Sequence, residues 1–207
     1  MLATKCVAVI FDLEYTAWDG SLARGWLGEN EDPEIIQIGA IKLCIRGRDL
    51  VPEQEFSVLV KPTIRPQLSD YIKELTGIDQ ENLNQNGITF SEALGNFFDF
   101  VPGTAPICAN GDDWSFLDWN CKVNQIENPF SQLRFFNLRP ILANHLKLSE
   151  DSPRLHSYRL ASRSQVNGYD GLEPHVAHNA LNDARAVAKE VSKIDRTKLP
   201  LIQGGNN

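Results

Sequence analysis

Apolar residues first gather in Val7-Ala8-Val9-Ile10 and continue through Phe11 and Leu13. Side chains alternate across a strand, so Ala8, Ile10, Asp12 and Glu14 share one face and Val7, Val9, Phe11 and Leu13 the other. A strand apolar on both faces is expected at the centre of a sheet, covered on both sides. Ile35 to Leu43 and Phe56 to Val60 read as two further strands, separated by the turn-like Arg46-Gly47-Arg48-Asp49. Strands following one another so closely predict an antiparallel meander, because a parallel link needs a longer crossover.

The pattern then turns helical. Leu68 to Thr76 reads as a helix, with Ser69 as N-cap and Gly77 as its stop. Thr89-Phe90-Ser91-Glu92 has the capping-box spacing and opens a helix with Leu94, Phe97, Phe98 and Val101 on its apolar side. Ala105 to Ala109 is a short fourth strand, Asp113 to about Asn124 a helix, and Phe135 to Leu138 a fifth strand. Helices are predicted at Pro140 to Leu148 and Ser157 to Val166, and again from Ala180 to about Lys193. In the last, Leu181, Ala184, Val187, Val191 and Ile194 recur at spacings of three and four. The order predicts an α/β fold: a mixed sheet of about five strands flanked by helices. It forms one domain over residues 1–198, followed by a frayed tail at 199–207.

Composition narrows the class. Hydrophobic residues make up 42% and charged residues 23% of the 207, as in an ordinary globular protein. The net charge of -7 gives no general electrostatic hold on nucleic acid, so any such binding must be local or metal-mediated. The four cysteines lie far apart, and Cys6, Cys44 and Cys108 fall in strand-like stretches. They read as reduced core thiols of a cytoplasmic protein, and a structural zinc site is not expected. No stretch has the signature of a signal peptide or a membrane span.

Three segments carry candidate chemistry. Asp12 and Glu14 end the first strand as a like-charged pair, which repels unless a cation lies between them. Alone, the pair reads as a solvated strand end. Asn110-Gly111-Asp112-Asp113 runs from a strand into a helix, where an acid can simply be a cap. Asp113 is preferred to Asp112, because Phe116 and Leu117 follow it at helical spacing. His178-Asn179-Ala180-Leu181-Asn182-Asp183 leads into the last helix. His178 and Asp183 do not share a helical face, but both reach one site if His178 lies in the preceding loop. His175 lacks the Ala and Asp at the matching offsets.

Taken in order, these segments resemble the DEDDh exonucleases of the DnaQ-like group, which have a ribonuclease H-like fold. Phe11-Asp12-Leu13-Glu14-Tyr15-Thr16 is similar to the family's first motif, and His178 to Ala184 to its third. Residues Pro33 to Ala40 and Leu68 to Ile78 look closest to the KapD-like and RNA-interference-associated members. The resemblance implies a metal-dependent 3′–5′ exonuclease that acts on single-stranded RNA, DNA or both and releases nucleoside 5′-monophosphates. It implies two magnesium or manganese ions, which suit hard oxygen ligands. Asp12 would bridge them, Glu14 and Asp183 would complete one site, Asp113 would hold the second, and His178 would act as general base. Tyr15, Thr16, Thr76 and Ile78 would border the terminal nucleotide. Trp114 either stacks on a base or is a half-buried helix residue.

Arg154, Arg159 and Arg163 either meet phosphates or are solvated. The loop Ala17 to Pro33, with Trp18 and Trp26, is long enough to cap the site or meet another subunit, and a homodimer is a candidate assembly. A proofreading or structure-specific DNA exonuclease of the same fold is the alternative enzyme, and a catalytically inert adaptor the alternative of another class.

Overall fold

The computed structural model describes residues 5–164 and 178–199. Strand β1 (Lys5–Tyr15) lies at the centre of a five-stranded sheet. It pairs antiparallel with β2 (Ile35–Arg46), which pairs antiparallel with β3 (Asp49–Leu59). On its other side β1 runs parallel to β4 (Ile107–Ala109), and β4 parallel to β5 (Phe135–Asn137). The sheet order is therefore β3-β2-β1-β4-β5. This is the mixed sheet with a leading meander that the pattern predicts.

The two faces of β1 are buried in different cores. Ala8 and Ile10 pack with Ala184, Val187 and Val191 of the last helix, while Val9, Phe11 and Leu13 pack with Leu94, Phe97 and Leu117. Val7 departs from strict alternation and joins the Ala8 side. A register shift between Cys6 and Ala8 inserts one unpaired residue and reverses the facing locally. The β2–β3 hairpin is longer than expected. Its edge strand carries Asp49, Pro52, Glu53 and Glu55, which mask its strand character in sequence yet suit an unpaired edge.

The helices are α1 (Ser21–Arg24), α2 (Asp70–Thr76), α3 (Gln80–Asn86), α4 (Phe90–Phe100), α5 (Asp113–Val123), α6 (Arg139–Leu146), α7 (Ser157–Ser164) and α8 (Ala180–Ser192). The expected caps are present. The Ser69 side chain accepts from Ile72 N–H, Thr89 from Glu92 N–H, and Gly77 ends α2 at φ 70°. Helix α3 is not among the predicted elements: it is capped by Asp79 and buries only Leu83, too thin an apolar stripe to register as periodic.

Two expectations change. Cys6 and Cys44 are not free thiols: β1–β2 pairing sets them directly opposite, with Cα atoms 3.9 Å apart, and they form a disulfide. Cys108 and Cys121 are free and buried. Leu199, placed in the tail by its sequence, is buried in the core with Val191 and Ile194. The predicted end of α7 at Val166, His175 and the tail from 200 lie outside the described residues. Among the described residues no helix is long and apolar enough to cross a membrane.

Candidate active site

β4 pairs with β1 only through Val9 and Ile10, so β1 runs past it. Beyond that point the sheet opens into a crevice at the carboxyl ends of two parallel strands, where ligands of open α/β sheets bind. Asp12 and Glu14 project there. The peptide between them is used as well: Leu13 N–H donates to the Asp113 carboxylate, which also accepts from the Asp113 N–H. Helix α5 is thereby tied at its first residue to the acid-bearing strand. Asp112 is exposed on the cavity rim, where its carboxylate accepts from the Ser115 hydroxyl at 2.8 Å.

The third segment arrives on α8, whose start lies against β2. Gly39 is opposite Asp12 in the β1–β2 register, and a Cβ on it would come within 2.1 Å of Leu181 N. Only a hydrogen atom leaves room for that approach. Gln37, opposite Glu14, accepts from Ala180 N–H at 3.0 Å, and Asn179 caps the helix by accepting from Asn182 N–H. Asp183, 4% exposed, then lies beside Glu14. His178 has φ 60°, which turns it out of the helical path, and its N–H donates back to Asp183. That turn removes the difficulty of a five-residue spacing.

The structure thus brings Asp12, Glu14, Asp113, His178 and Asp183 into one cavity of about 610 Å³. Ligand atoms of Glu14, His178 and Asp183 all lie within 4.8 Å of one another, so the tightest group includes the imidazole. Asp12 stands at its edge, 3.5 Å from the Ser157 hydroxyl, which in turn accepts from Asn110 Nδ2 at 3.1 Å.

Burial, followed by repulsion from Asp113, Asp183 and Glu14, pushes the Asp12 carboxyl well above its usual range. Burial and then Asp183 and Asp113 do the same to Glu14. Burial raises Asp113 to about 7 and Asp183 to about 8. Burial, and then His156, pushes His178 below the ordinary histidine value. Asp183 Oδ1 is buried without a hydrogen-bond partner. Oxygen donors that are desolvated, mutually repelling and short of donors fit a hard divalent cation.

Other predicted contacts separate. Tyr15 lines the cavity, stacked on Phe116 at 4.2 Å and edge-on to Trp26 at 5.3 Å. Thr16 is instead buried structure: its hydroxyl donates to Asp32 O and accepts from Glu34 N–H at 2.9 Å. The Thr76 hydroxyl bonds Ile72 O and Ile78 N–H within the end of α2, and Ile78 packs with Ile36, Ile72 and Leu83. Trp114, 8% exposed, packs on Phe135 in the core. Thr16, Thr76, Ile78 and Trp114 are not among the cavity-lining residues.

Trp26, from the loop expected to cap the site, lines the cavity with Phe116, and so do Tyr71, His156, Ser157 and Tyr158, which the sequence did not single out. Tyr158 lies against the His178 ring at 4.6 Å. Only the helical spacing of Phe116 from Asp113, and the presence of Trp26 in a loop after the acids, hinted at any of these.

The sheet order β3-β2-β1-β4-β5, flanked by helices, is that of a ribonuclease H-like fold. Residues 9–191 match the Exonuclease family (RNase_T). The chain belongs to that family. It is 32% identical over 183 residues to the DNA polymerase III PolC-type of Thermotoga maritima, covering 87% of this chain and 11% of that protein. It is 31% identical over 217 residues to ERI1 exoribonuclease 2 of Xenopus laevis, covering 90% of this chain and 28% of that one. The chain therefore spans a minor part of the length of these relatives. The solved nuclease domain of 3′hExo, a DEDDh family member bound to rAMP, superposes with a TM-score of 0.68 at 23% identity, over 90% of each chain.

Proposed function

We propose that the chain hydrolyses phosphodiester bonds of single-stranded RNA or DNA from a free 3′ end, using the five converging residues. The observation that carries this reading is that Asp12, Glu14, Asp113 and Asp183, from three distant segments, meet as desolvated carboxylates beside one imidazole. Asp12, Glu14, Asp113 and Asp183 would hold two magnesium or manganese ions, which supply charge neutralisation at the attacking and leaving oxygens. His178, kept neutral by burial, accepts the proton of the attacking water. Tyr15, Trp26 and Phe116 offer an apolar face for the terminal base, and Asn110 orients the Ser157 hydroxyl toward Asp12.

A ribonucleotide substrate is supported by the exoribonuclease relatives, and a DNA substrate by the PolC-type relative. The test is a digest of 5′-labelled single-stranded RNA and DNA with and without magnesium or manganese, with Asp12→Ala as control. A ladder shortening from the 3′ end, lost in chelator and in the variant, is expected. Equal behaviour of wild type and variant would falsify the catalytic assignment.

A further inference from the structure

A second cavity lies far from the acids. Strand β2 runs from Gln37 and Gly39, beside the site, to Arg46, which is paired in register with Asp49 at the β2–β3 turn. At about 3.4 Å per residue, that turn is roughly 24 Å from Gly39. Gly47, at φ 65°, takes the left-handed conformation of the turn, and its carbonyl accepts from Arg196 Nη1 at 3.3 Å. This bond joins the turn to the short 3₁₀ helix Arg196–Lys198 that follows α8. Leu50, Ile194 and Leu199, which flank these residues in sequence, are buried in one core, so both segments are anchored.

The cavity, of about 390 Å³, is lined by Arg48, Lys193 and Arg196. Asp49 and Asp195 line it as well, but the Asp195 carboxylate is engaged, accepting from the Thr197 N–H at 2.9 Å and hydroxyl at 2.8 Å. Lys193 pairs with Glu190 at 2.5 Å and keeps 46% of its side chain exposed, and Arg48 is exposed. Carbonyls in the last turn of α8 accept from Lys193 and Ile194 N–H, which blunts the negative end of the helix. Helix α8 also links this cavity to the acids. Its own two acids, Asp183 and Glu190, are each 4% exposed, whereas Arg185, Lys189 and Lys193 follow one another at intervals of four on its outward face. Arg185 is partly neutralised by Glu55. In a chain of net charge -7, this series is a local reversal of sign.

Resting on the exonuclease reading for the identity of the ligand, we infer that the β2–β3 turn and the end of α8 form a second nucleic-acid contact. Arg48, Lys193 and Arg196 hold phosphates of the substrate strand there, remote from the acids. Guanidinium forks match phosphate oxygens, and an extended backbone presents anions at regular intervals to cations spaced along a helix. A strand with its 3′ end at Asp12 and its backbone along α8 reaches the turn when several phosphates lie in between. Long substrates gain affinity from the contact, and short ones bypass it.

The test compares a labelled single strand of about twenty-five nucleotides with a trinucleotide of the same sequence. Fluorescence anisotropy in chelator, where nothing is cut, gives the affinity of the long strand across a potassium chloride series. Turnover in manganese gives kcat/KM for both lengths. Arg48→Glu combined with Arg196→Glu is expected to weaken long-strand binding about tenfold or more and to flatten its log–log salt slope by about 1 or more. Trinucleotide kcat/KM should change less than about twofold. Arg48→Glu alone, at an exposed turn residue, should carry part of that loss even where the double variant folds poorly, and lysine at both positions should retain most of the affinity. Long-strand affinity and slope unchanged in Arg48→Glu overturn the inference. A poly-glutamate peptide that binds more tightly than the strand, and weakens in the same variants, overturns it in favour of an acidic protein partner. If the wild type hydrolyses neither length in manganese, the exonuclease reading fails, while binding in chelator still decides the contact.

Discussion

Gly39 stands opposite Asp12 across the β1–β2 ladder, and its missing side chain is the space into which the first turn of α8 settles. The backbone of Ala180 and Leu181 would meet a Cβ there at 2.1 to 2.6 Å, so the contact that delivers Asp183 depends on a hydrogen atom. Gly39→Ala is expected to destabilise the fold by about 1–3 kcal/mol, because backbone rather than a side-chain tip must give way. Urea unfolding measures this. A midpoint equal to wild type would show that α8 docks elsewhere.

The acids make metal-free stability depend on pH in an unusual direction. Carboxyls raised to about 7 and 8 at Asp113 and Asp183 bind protons in the folded state that the unfolded chain has released. Their folded form is therefore favoured at low pH, and stability falls as pH rises from the ordinary carboxyl range through about 7–8. The cluster titrates as a unit. In a chelator, the thermal midpoint should drop between about pH 7 and 8, above the range in which His156 and His178, both lowered by burial, work in the opposite direction. Manganese should restore it at pH 8 and change it little at pH 5. A midpoint that does not respond to manganese at pH 8 would remove the cation from the cluster.

Asp112 and Asp113 are adjacent acids with different fates. Asp113 accepts the Leu13 amide between the two strand acids, while Asp112 is exposed and bonded to Ser115. Asp113→Asn should cost about a hundredfold or more in kcat/KM, and Asp112→Asn less than about threefold. Comparable losses in both would reopen the choice between them.

His178 lies against Tyr158 on α7, and their rings are 4.6 Å apart with the planes tilted by 35°. Tyr158 is a positioning residue for the proposed base. Removing the imidazole should lower kcat by about 10² to 10⁴ with metal binding retained. Tyr158→Ala should lower kcat about tenfold with KM nearly constant, and Tyr158→Phe should recover most of it because the ring is kept. If Phe behaves like Ala, the hydroxyl held by Arg159 matters more than the ring.

Glu34 is buried, and its carboxylate accepts from Thr63, Ile64 and Arg65 N–H at 2.6, 2.9 and 2.5 Å. It ties down the segment 63–65 ahead of α2 and is not among the cavity-lining residues. Glu34→Ala should cost about 2–4 kcal/mol of stability, since three amides lose a charged acceptor. Manganese affinity, measured below the thermal midpoint of the variant, should not change. A large loss of metal binding in a folded Glu34→Ala protein would refute the structural role.

The leading meander, the helix caps and the acid-bearing segments were legible because each rests on local spacing: alternation around Asp12 and Glu14, the Thr89 capping box, the apolar stripe of α8. The Cys6–Cys44 bridge was not, because it depends on a register between strands that composition does not encode. The cavity walls were equally hidden. Thr16, Thr76 and Trp114 have side chains that suit ligand contact, but nearby backbone and core groups already use them. Trp26, Tyr71 and Tyr158 come from three separate segments, and only tertiary packing makes them neighbours.

The positive φ at His178 bears on how the base can be tested. A side chain at 178 must tolerate left-handed backbone, which histidine and asparagine do more readily than alanine. His178→Ala therefore mixes two losses, the imidazole and the ease of the turn that aims Asp183. His178→Asn keeps the turn and removes only the proton acceptor, so the difference between the two variants separates chemistry from conformation at one position.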